Sequence, residues 1–204
     1  MQLADMPDST LLAHMHQQRE QHPQAWVAAF EVLFTRHYAR VYRVAHNLTG
    51  NHDEAEDLTQ ETFLALYRQP PHLHPTDDLA PWLGRVTLNR GYNALRSGQR
   101  RQQRETRAYG LTIQEPPLDP ATSLERAEER AQVRAVLARL PERQSKLLVL
   151  RYAGFSYTEI ATTLGIAAGS VGTLLARAER AFIAQYQQTH GTLEDVHLAR
   201  RSMP

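Results

Sequence analysis

Residues 51–68, NHDEAEDLTQETFLALYR, constrain the fold of this chain most. Ala55, Leu58, Thr62 and Leu66 recur at three- and four-residue intervals, the spacing of one face of an α-helix. Glu54, Asp57 and Glu61 keep the same spacing on another face, with Gln60 and Leu64 beside them. Acids early in the stretch suit a helix start, where the macrodipole is positive. Two readings fit. The acids are either the solvated outer face of a core helix or a docking face for a basic partner. The rest of the chain has to choose between them.

At 204 residues, 42% apolar and 22% charged, the chain is long enough for one or two small domains with cores of their own. It has no cysteine, which excludes disulfides, zinc–thiolate sites and cysteine nucleophiles and fits a reducing compartment. No apolar run approaches the roughly 18 residues of a membrane span. The start, MQLADMPDST, lacks the basic residues and apolar core of a signal peptide. The expectation is a soluble cytoplasmic protein with no membrane insertion.

Residues 1–24 are polar and rich in Gln and His, and only Leu11, Leu12 and Met15 suggest a short helix. From Trp26 a broad apolar stripe runs through Phe30, Leu33, Phe34, Val41, Tyr42, Ala45 and Leu48 to Gly50, a helix-terminating residue. The acidic helix follows. QPPHLHPTDD, residues 69–78, has three prolines and reads as a loop. Pro81 opens the next helix, continued by Trp82, Leu83, Val86, Leu88 and Leu95. From Arg85 to Arg107 the charge inverts, with seven arginines against the single acid Glu105, so the formal net charge of +1 hides a strong segregation. Arg85, Asn89, Tyr92 and Arg96 are spaced to share one helix face. Residues 108–120 are Pro-rich and read as a linker.

A second helical unit begins near Ala121. Leu124, Ala127, Ala131, Val133, Val136, Leu137 and Leu140 mark its first helix, and Leu147, Leu148, Leu150 and Tyr152 a second that ends at Gly154. SYTEIATTLGIAAGSVGTLLARAERAF then has the form of a helix-turn-helix. Ser156 and Glu159 make a capping box, Ile160, Ala161 and Leu164 a buried face, and Gly165 the turn. Val171, Leu174, Leu175 and Ala178 hold the second helix to the first. Its polar candidates for DNA are Ser170, Thr173, Arg177 and Arg180, the two arginines suiting phosphates better than bases. The basic run with nearby Tyr67, Trp82 and Tyr92 suits single-stranded DNA, where exposed bases stack on aromatic rings. His72, His74, Asp77 and Asp78 can be drawn as a metal site, but no helix fixes a further ligand, and neither metal nor cofactor is expected. The chain carries no nucleotide-binding glycine loop, G-x-S-x-G or H-E-x-x-H. It reads as a binding protein, not an enzyme.

At this point two separate stretches resemble one family. AEDLTQETFLALYR with PWLGRVTLNRGYNALR is similar to region two of the extracytoplasmic-function sigma factors, small members of the sigma-70 family. LARLPERQSKLLVLRYAGFSYTEIATTLGIAAGSVGTLLARAERAF is similar to their region four. The resemblance implies an all-α protein of two small helical domains joined by a flexible linker, the second containing the helix-turn-helix. Its divisions are an N-terminal extension (1–24), a region-two domain (25–99), a linker (100–120), a region-four domain (121–186) and a C-terminal tail (187–204). It implies binding to bacterial core RNA polymerase and to promoter DNA, duplex and melted, with an anti-sigma factor as a further partner. Carried over residue by residue, Asp57, Gln60, Glu61 and Leu64 would contact polymerase, which selects the docking reading of the acidic helix. Tyr67, His72, Arg85, Asn89, Arg90, Asn93 and Arg96 would serve the −10 element, with the loop after Tyr67 capturing a flipped base. Ser170, Thr173, Arg177 and Arg180 would serve the −35 element.

The chain departs from the family pattern in places. Asn93 stands where many relatives carry Asp, and the recognition helix reads Ser170-Val171-Gly172-Thr173-Leu174 without its usual cations. Ala167 replaces the usual Ser cap. The competing functions are a stand-alone helix-turn-helix regulator, which would bind duplex tightly without polymerase, and a metal-dependent hydrolase at His72 and His74, which a chelator would inactivate.

Overall fold

The computed structural model describes residues 3–18, 22–74, 77–109 and 122–190, and among these residues it is helical with no strand. The helices are α1 (Asp8–Gln18), α2 (Pro23–Thr49), α3 (His52–Arg68), α4 (Ala80–Tyr109), α5 (Thr122–Arg139), α6 (Glu142–Tyr152), α7 (Tyr157–Leu164) and α8 (Val171–His190). Short 3₁₀ turns precede α1 and α8. The punctuation read from the sequence holds. Gly50 ends α2 in the left-handed conformation at φ 66°, and Asn51 opens α3 by accepting from the N–H groups of Asp53 and Glu54 at 2.8 and 3.1 Å. Asp78 accepts from the Ala80 N–H at 3.0 Å as α4 begins.

Helix α4 continues to Tyr109, ten residues beyond the boundary expected at 99. The segment QRRQQRETRAY contains good helix formers and no proline, so nothing stops the helix there. Likewise α8 runs to His190, past the expected end at 186. The rest of the expected linker (100–120), from 110 on, and the rest of the expected tail (187–204), from 191 on, lie outside the described residues.

The N-terminal segment differs most from expectation. Leu11, Leu12 and Met15 of α1 are fully buried, together with Trp26, Leu33, Phe63, Leu66, Leu79 and Leu83. The stretch is polar on average, but its apolar residues share one face, and that face completes the core of α2, α3 and the start of α4. Asp8, buried at the head of α1, locks the arrangement. It accepts from the His37 Nε2–H at 2.7 Å and from the Arg36 guanidinium, which also reaches the carbonyls of Ala4 and Met6 at 2.9 and 3.0 Å.

A second core joins the two units. Val44, Ala45, Leu48, Leu58 and Leu88 from the first lie in one cluster with Leu147, Leu150, Phe155, Ile160 and Leu175 from the second. Phe155 anchors it, 1% exposed. It follows Gly154 (φ 90°), and its N–H bonds to the Leu150 carbonyl at 3.1 Å, while the Gly154 N–H bonds to Arg151 at 3.1 Å. This is a Schellman helix end, whose apolar C″ residue packs back on its own helix. A Cβ placed on Gly84 of α4 would stand 2.9 Å from the Phe155 ring and 3.4 Å from Leu150. Only glycine lets α4 come this close.

Burial acts to raise the Asp8 carboxyl, but His37 and Arg36 together hold it down at about 2 against an ordinary 3.8. A depressed carboxyl stabilises the fold above its unfolded value and loses that contribution as pH falls through the folded one. Asp8→Asn should therefore cost about 2 kcal/mol near neutral pH. Urea midpoints of the two proteins should converge as pH drops from 4 toward 2. A difference independent of pH would contradict the charged pair.

Candidate polymerase and promoter interfaces

The inner face of α3 buries Ala55, Leu58, Thr59, Thr62, Phe63 and Leu66. The two threonines satisfy their hydroxyls within the helix, Thr59 to the Ala55 carbonyl at 2.7 Å and Thr62 to Leu58 at 2.8 Å. That rotation leaves Asp57, Gln60, Glu61 and Leu64 all on the exposed side. Leu64 is 47% exposed, an apolar side chain among acids. Glu61 pairs with Arg90 of α4 at 2.9 Å, with both side chains about half in water. The acids are therefore available, which is the condition the docking reading requires.

Beside this face, α2 carries an aromatic row at four-residue intervals: Trp26, Phe30, Phe34, Tyr38 and Tyr42, with successive centroids 5.3 to 6.2 Å apart. Tyr67, at the end of α3, stands edge-on to Trp26 at 4.4 Å and to Phe30 at 5.4 Å and remains 43% exposed. Four of these rings, Trp26, Phe30, Phe34 and Tyr42, fall on the apolar stripe expected from the sequence, and Tyr38 extends the row between them.

The −10 candidates divide between two environments. Asn89, Arg90 and Asn93 are exposed. Arg85 and Arg96 instead engage the second unit. Arg85 donates to the carbonyls of Thr163 at 3.1 Å and Thr162 at 2.6 Å, at the C-terminal end of α7, where unpaired carbonyls and the helix dipole favour a cation. Arg96 pairs with Glu142 of α6 at 2.7 Å. Tyr92, half-buried on the same face, lies under the Lys146 ammonium at 5.1 Å. Two further links close the units. Arg40 binds Glu159, and Arg43 donates to the Ala153 carbonyl at 3.1 Å. Burial acts to raise the Glu159 carboxyl, but its bonds to Ser156 and the Arg40 charge hold it below its usual range.

His72 is exposed and stacks on His16 of α1, centroids 3.9 Å apart and planes 10° apart. The drawn His72–His74–Asp77–Asp78 constellation is not assembled. Asp77 accepts from the His74 N–H at 3.1 Å within the turn, and Asp78 caps α4. Among the described residues, the potential cation ligands that do converge are Asp8, His37 and Asp78, whose ligand atoms lie within 4.8 Å of one another. Arg36 and His37 already engage Asp8. Burial raises the Asp78 carboxyl, the Ala80 N–H offsets part of that, and Asp8 beside it adds to the rise.

In the second unit the helix-turn-helix forms as expected. Ser156 accepts from the Glu159 N–H at 3.2 Å, and the Glu159 carboxylate accepts from the Ser156 N–H at 2.6 Å. Gly165 turns the chain at φ 65°. Val171, Leu175 and Ala178 face inward, Thr173, Arg177 and Arg180 are exposed on the other side of α8, and Ser170 is exposed in the turn just before it. No side chain caps its start at Ala167, and a 3₁₀ turn, Ala168–Ser170, leads into it. No single helix among the described residues is long and apolar enough to cross a membrane.

The described residues thus form an all-helical protein with an acidic outer helix, an arginine-lined helix and a helix-turn-helix, the layout of a helical DNA-binding protein. Its relatives narrow the class. Sigma-70 region 2 matches residues 33–101, and sigma-70 region 4 matches residues 130–182. SigL of Mycobacterium tuberculosis, an extracytoplasmic-function (ECF) RNA polymerase sigma factor, is 32% identical over 168 residues, covering 80% of this chain and 92% of that one. SigE of Mycolicibacterium smegmatis, another ECF sigma factor, is 33% identical over 159 residues, covering 77% of this chain and 61% of its own longer one. The fold is shared with the Bartonella quintana sigma factor RpoE, solved in complex with the anti-sigma factor NepR: TM-score 0.52 and 23% identity, covering 78% of this chain and 96% of that one. The chain belongs to the sigma-70 family, as an ECF sigma factor.

Gly172 of α8 sits in a helix at no special φ, and an added Cβ would meet Tyr157 at an ordinary 3.5 Å. Gly172→Ala should raise stability by about 0.5–1 kcal/mol by removing glycine's entropy in the unfolded chain. Thermal melting checks this, and a lower midpoint would contradict the placement of Gly172 in a regular, uncrowded turn.

Proposed function

We propose that this sigma factor directs core RNA polymerase to promoters through the residues set out above, without catalysing a step itself, and that it works in the cytoplasm. The observation that carries the reading is the outward set of α3, where Asp57, Gln60, Glu61 and Leu64 all face water while the opposite side of the helix is buried. An acidic face with one apolar residue suits a basic, partly apolar surface of polymerase. Asn89, Arg90 and Asn93, with Tyr67 and His72, serve the −10 element. Ser170, Thr173, Arg177 and Arg180 serve the −35 element. An anti-sigma factor fits as a competitor for these same faces.

The two promoter elements lie about 25 base pairs apart, or about 85 Å of B-form duplex at roughly 34 Å per ten pairs. A compact chain of this length has a radius of gyration near 17 Å and is about 45 Å across. The closed arrangement joined by Phe155, Arg85 and Arg40 therefore cannot reach both elements at once. In this reading polymerase holds the units apart, and Arg85 and Arg96 then exchange Thr162, Thr163 and Glu142 for DNA phosphates. Free, the chain binds DNA poorly, because its acids repel phosphate and its arginines are engaged.

Asp57→Arg combined with Glu61→Arg should abolish capture of core polymerase while leaving the helical circular dichroism unchanged. Undiminished capture would discard the docking face. Asn89→Ala should leave polymerase capture intact and reduce promoter opening about tenfold, read as permanganate reactivity of the melted strand. Equal loss of both would contradict its assignment to the −10 element.

A further inference from the structure

We propose that α1 is a working part of the promoter reader: a strut that holds Pro71, His72 and Leu73, in the loop between α3 and α4, in place for base selection, with His16 as a positioning residue. The proposal rests on the reading that this loop captures a −10 base. It goes beyond that reading, because α1 lies outside residues 33–101, where region 2 is matched.

The loop leaves α3 at Arg68 and re-enters a helix at Ala80. With three prolines it cannot stiffen itself through a regular hydrogen-bond ladder. Helix α1 touches it near both ends. At the head of α1, the Asp8 carboxylate faces the Leu79 N–H at 3.4 Å, just before α4. Two turns along, the His16 Nε2–H donates to the Pro71 carbonyl at 3.3 Å, and the His16 ring covers one face of His72 at 3.9 Å. Positions 8 and 16 of a helix are about 12 Å apart along its axis. A rigid rod of that length therefore sets the spacing between Pro71–His72 and Leu79.

The rod itself is anchored in the core. Leu11 and Met15 are 0% exposed, and Leu73 of the loop packs against the same cluster. Asp8 ties α1 to His37 and Arg36 of α2 as well. An unpaired base swung out of the duplex is selected by stacking and by hydrogen bonds at its edge, both of which need the receiving groups already in place. Among the described residues, Tyr67, His72 and His74 carry exposed rings at or beside the loop. His72 is oriented by His16, and Tyr67 stands edge-on to Trp26, which lies in the core that α1 completes.

The test uses full-length protein with core polymerase and a promoter library randomised across the −10 and −35 elements, with transcripts sequenced to give base preference at each position. His16 is exposed, so His16→Ala should fold, melt and capture polymerase like the parent. Its preference at the flipped −10 position should flatten about tenfold while the −35 preference stays unchanged. His16→Phe, which keeps a ring over His72 but loses the bond to Pro71, should recover part of the preference. An unchanged −10 preference in His16→Ala, alongside an altered one in His72→Ala, would overturn the role of α1 alone. An unchanged preference in both would show that the loop does not read the base and would overturn the underlying reading as well.

Discussion

The rest of the structure depends on which way α3 faces. Six of its side chains enter the core, and two of these are threonines whose hydroxyls bond back to the helix, so the buried face leaves no polar group unmet. Once that face is inside, geometry puts Asp57, Gln60 and Glu61 outside. A carboxylate buried without a partner would cost several kcal/mol, so the acids and the core reinforce one another. The same packing places α4 against α3 through the contact between the Thr62 and Thr87 hydroxyls at 3.3 Å and so sets where the arginines begin. Charge segregation in the sequence becomes charge segregation in space because one apolar face is satisfied.

Helix α4 serves both units. Its start and middle complete the first core, and Gly84 admits Phe155 of the second unit. Burying one such ring is worth about 1.5–3 kcal/mol, and part-exposed ion pairs such as Arg96–Glu142 add at most about 1 kcal/mol each. Closure therefore amounts to several kcal/mol. That is less than the roughly 12 kcal/mol of a nanomolar docking event, so in the proposed reading docking on polymerase is sufficient to open the protein.

Much of this was legible in the sequence. Gly50, the Ser156–Glu159 box and Gly165 announced helix ends because capping is a local affair, and the apolar spacing of α3 and α8 predicted their buried faces. Three things were hidden. The role of α1 escaped because a polar average concealed three apolar residues on one face. Phe155 escaped because an apolar residue just past a terminal glycine was not taken as a helix-end contact. The closed interface escaped for a deeper reason: Arg85 meets Thr163 and Arg40 meets Glu159 across 78 and 119 residues, and no local periodicity encodes a partner that distant. Arg85, Asn89, Tyr92 and Arg96 are spaced to share one helix face, but in the closed form Arg85 and Arg96 engage the second unit while Asn89 remains in water.

The most direct measurement is the distance between the two units, and the absence of native cysteine makes it straightforward. Dyes at Ala94→Cys on α4 and Ala184→Cys on α8, both exposed positions, report it by energy transfer. Transfer should be high in the free protein and should fall on addition of core polymerase, but should not fall on addition of promoter DNA alone. High transfer retained in a polymerase complex that initiates transcription would contradict the account.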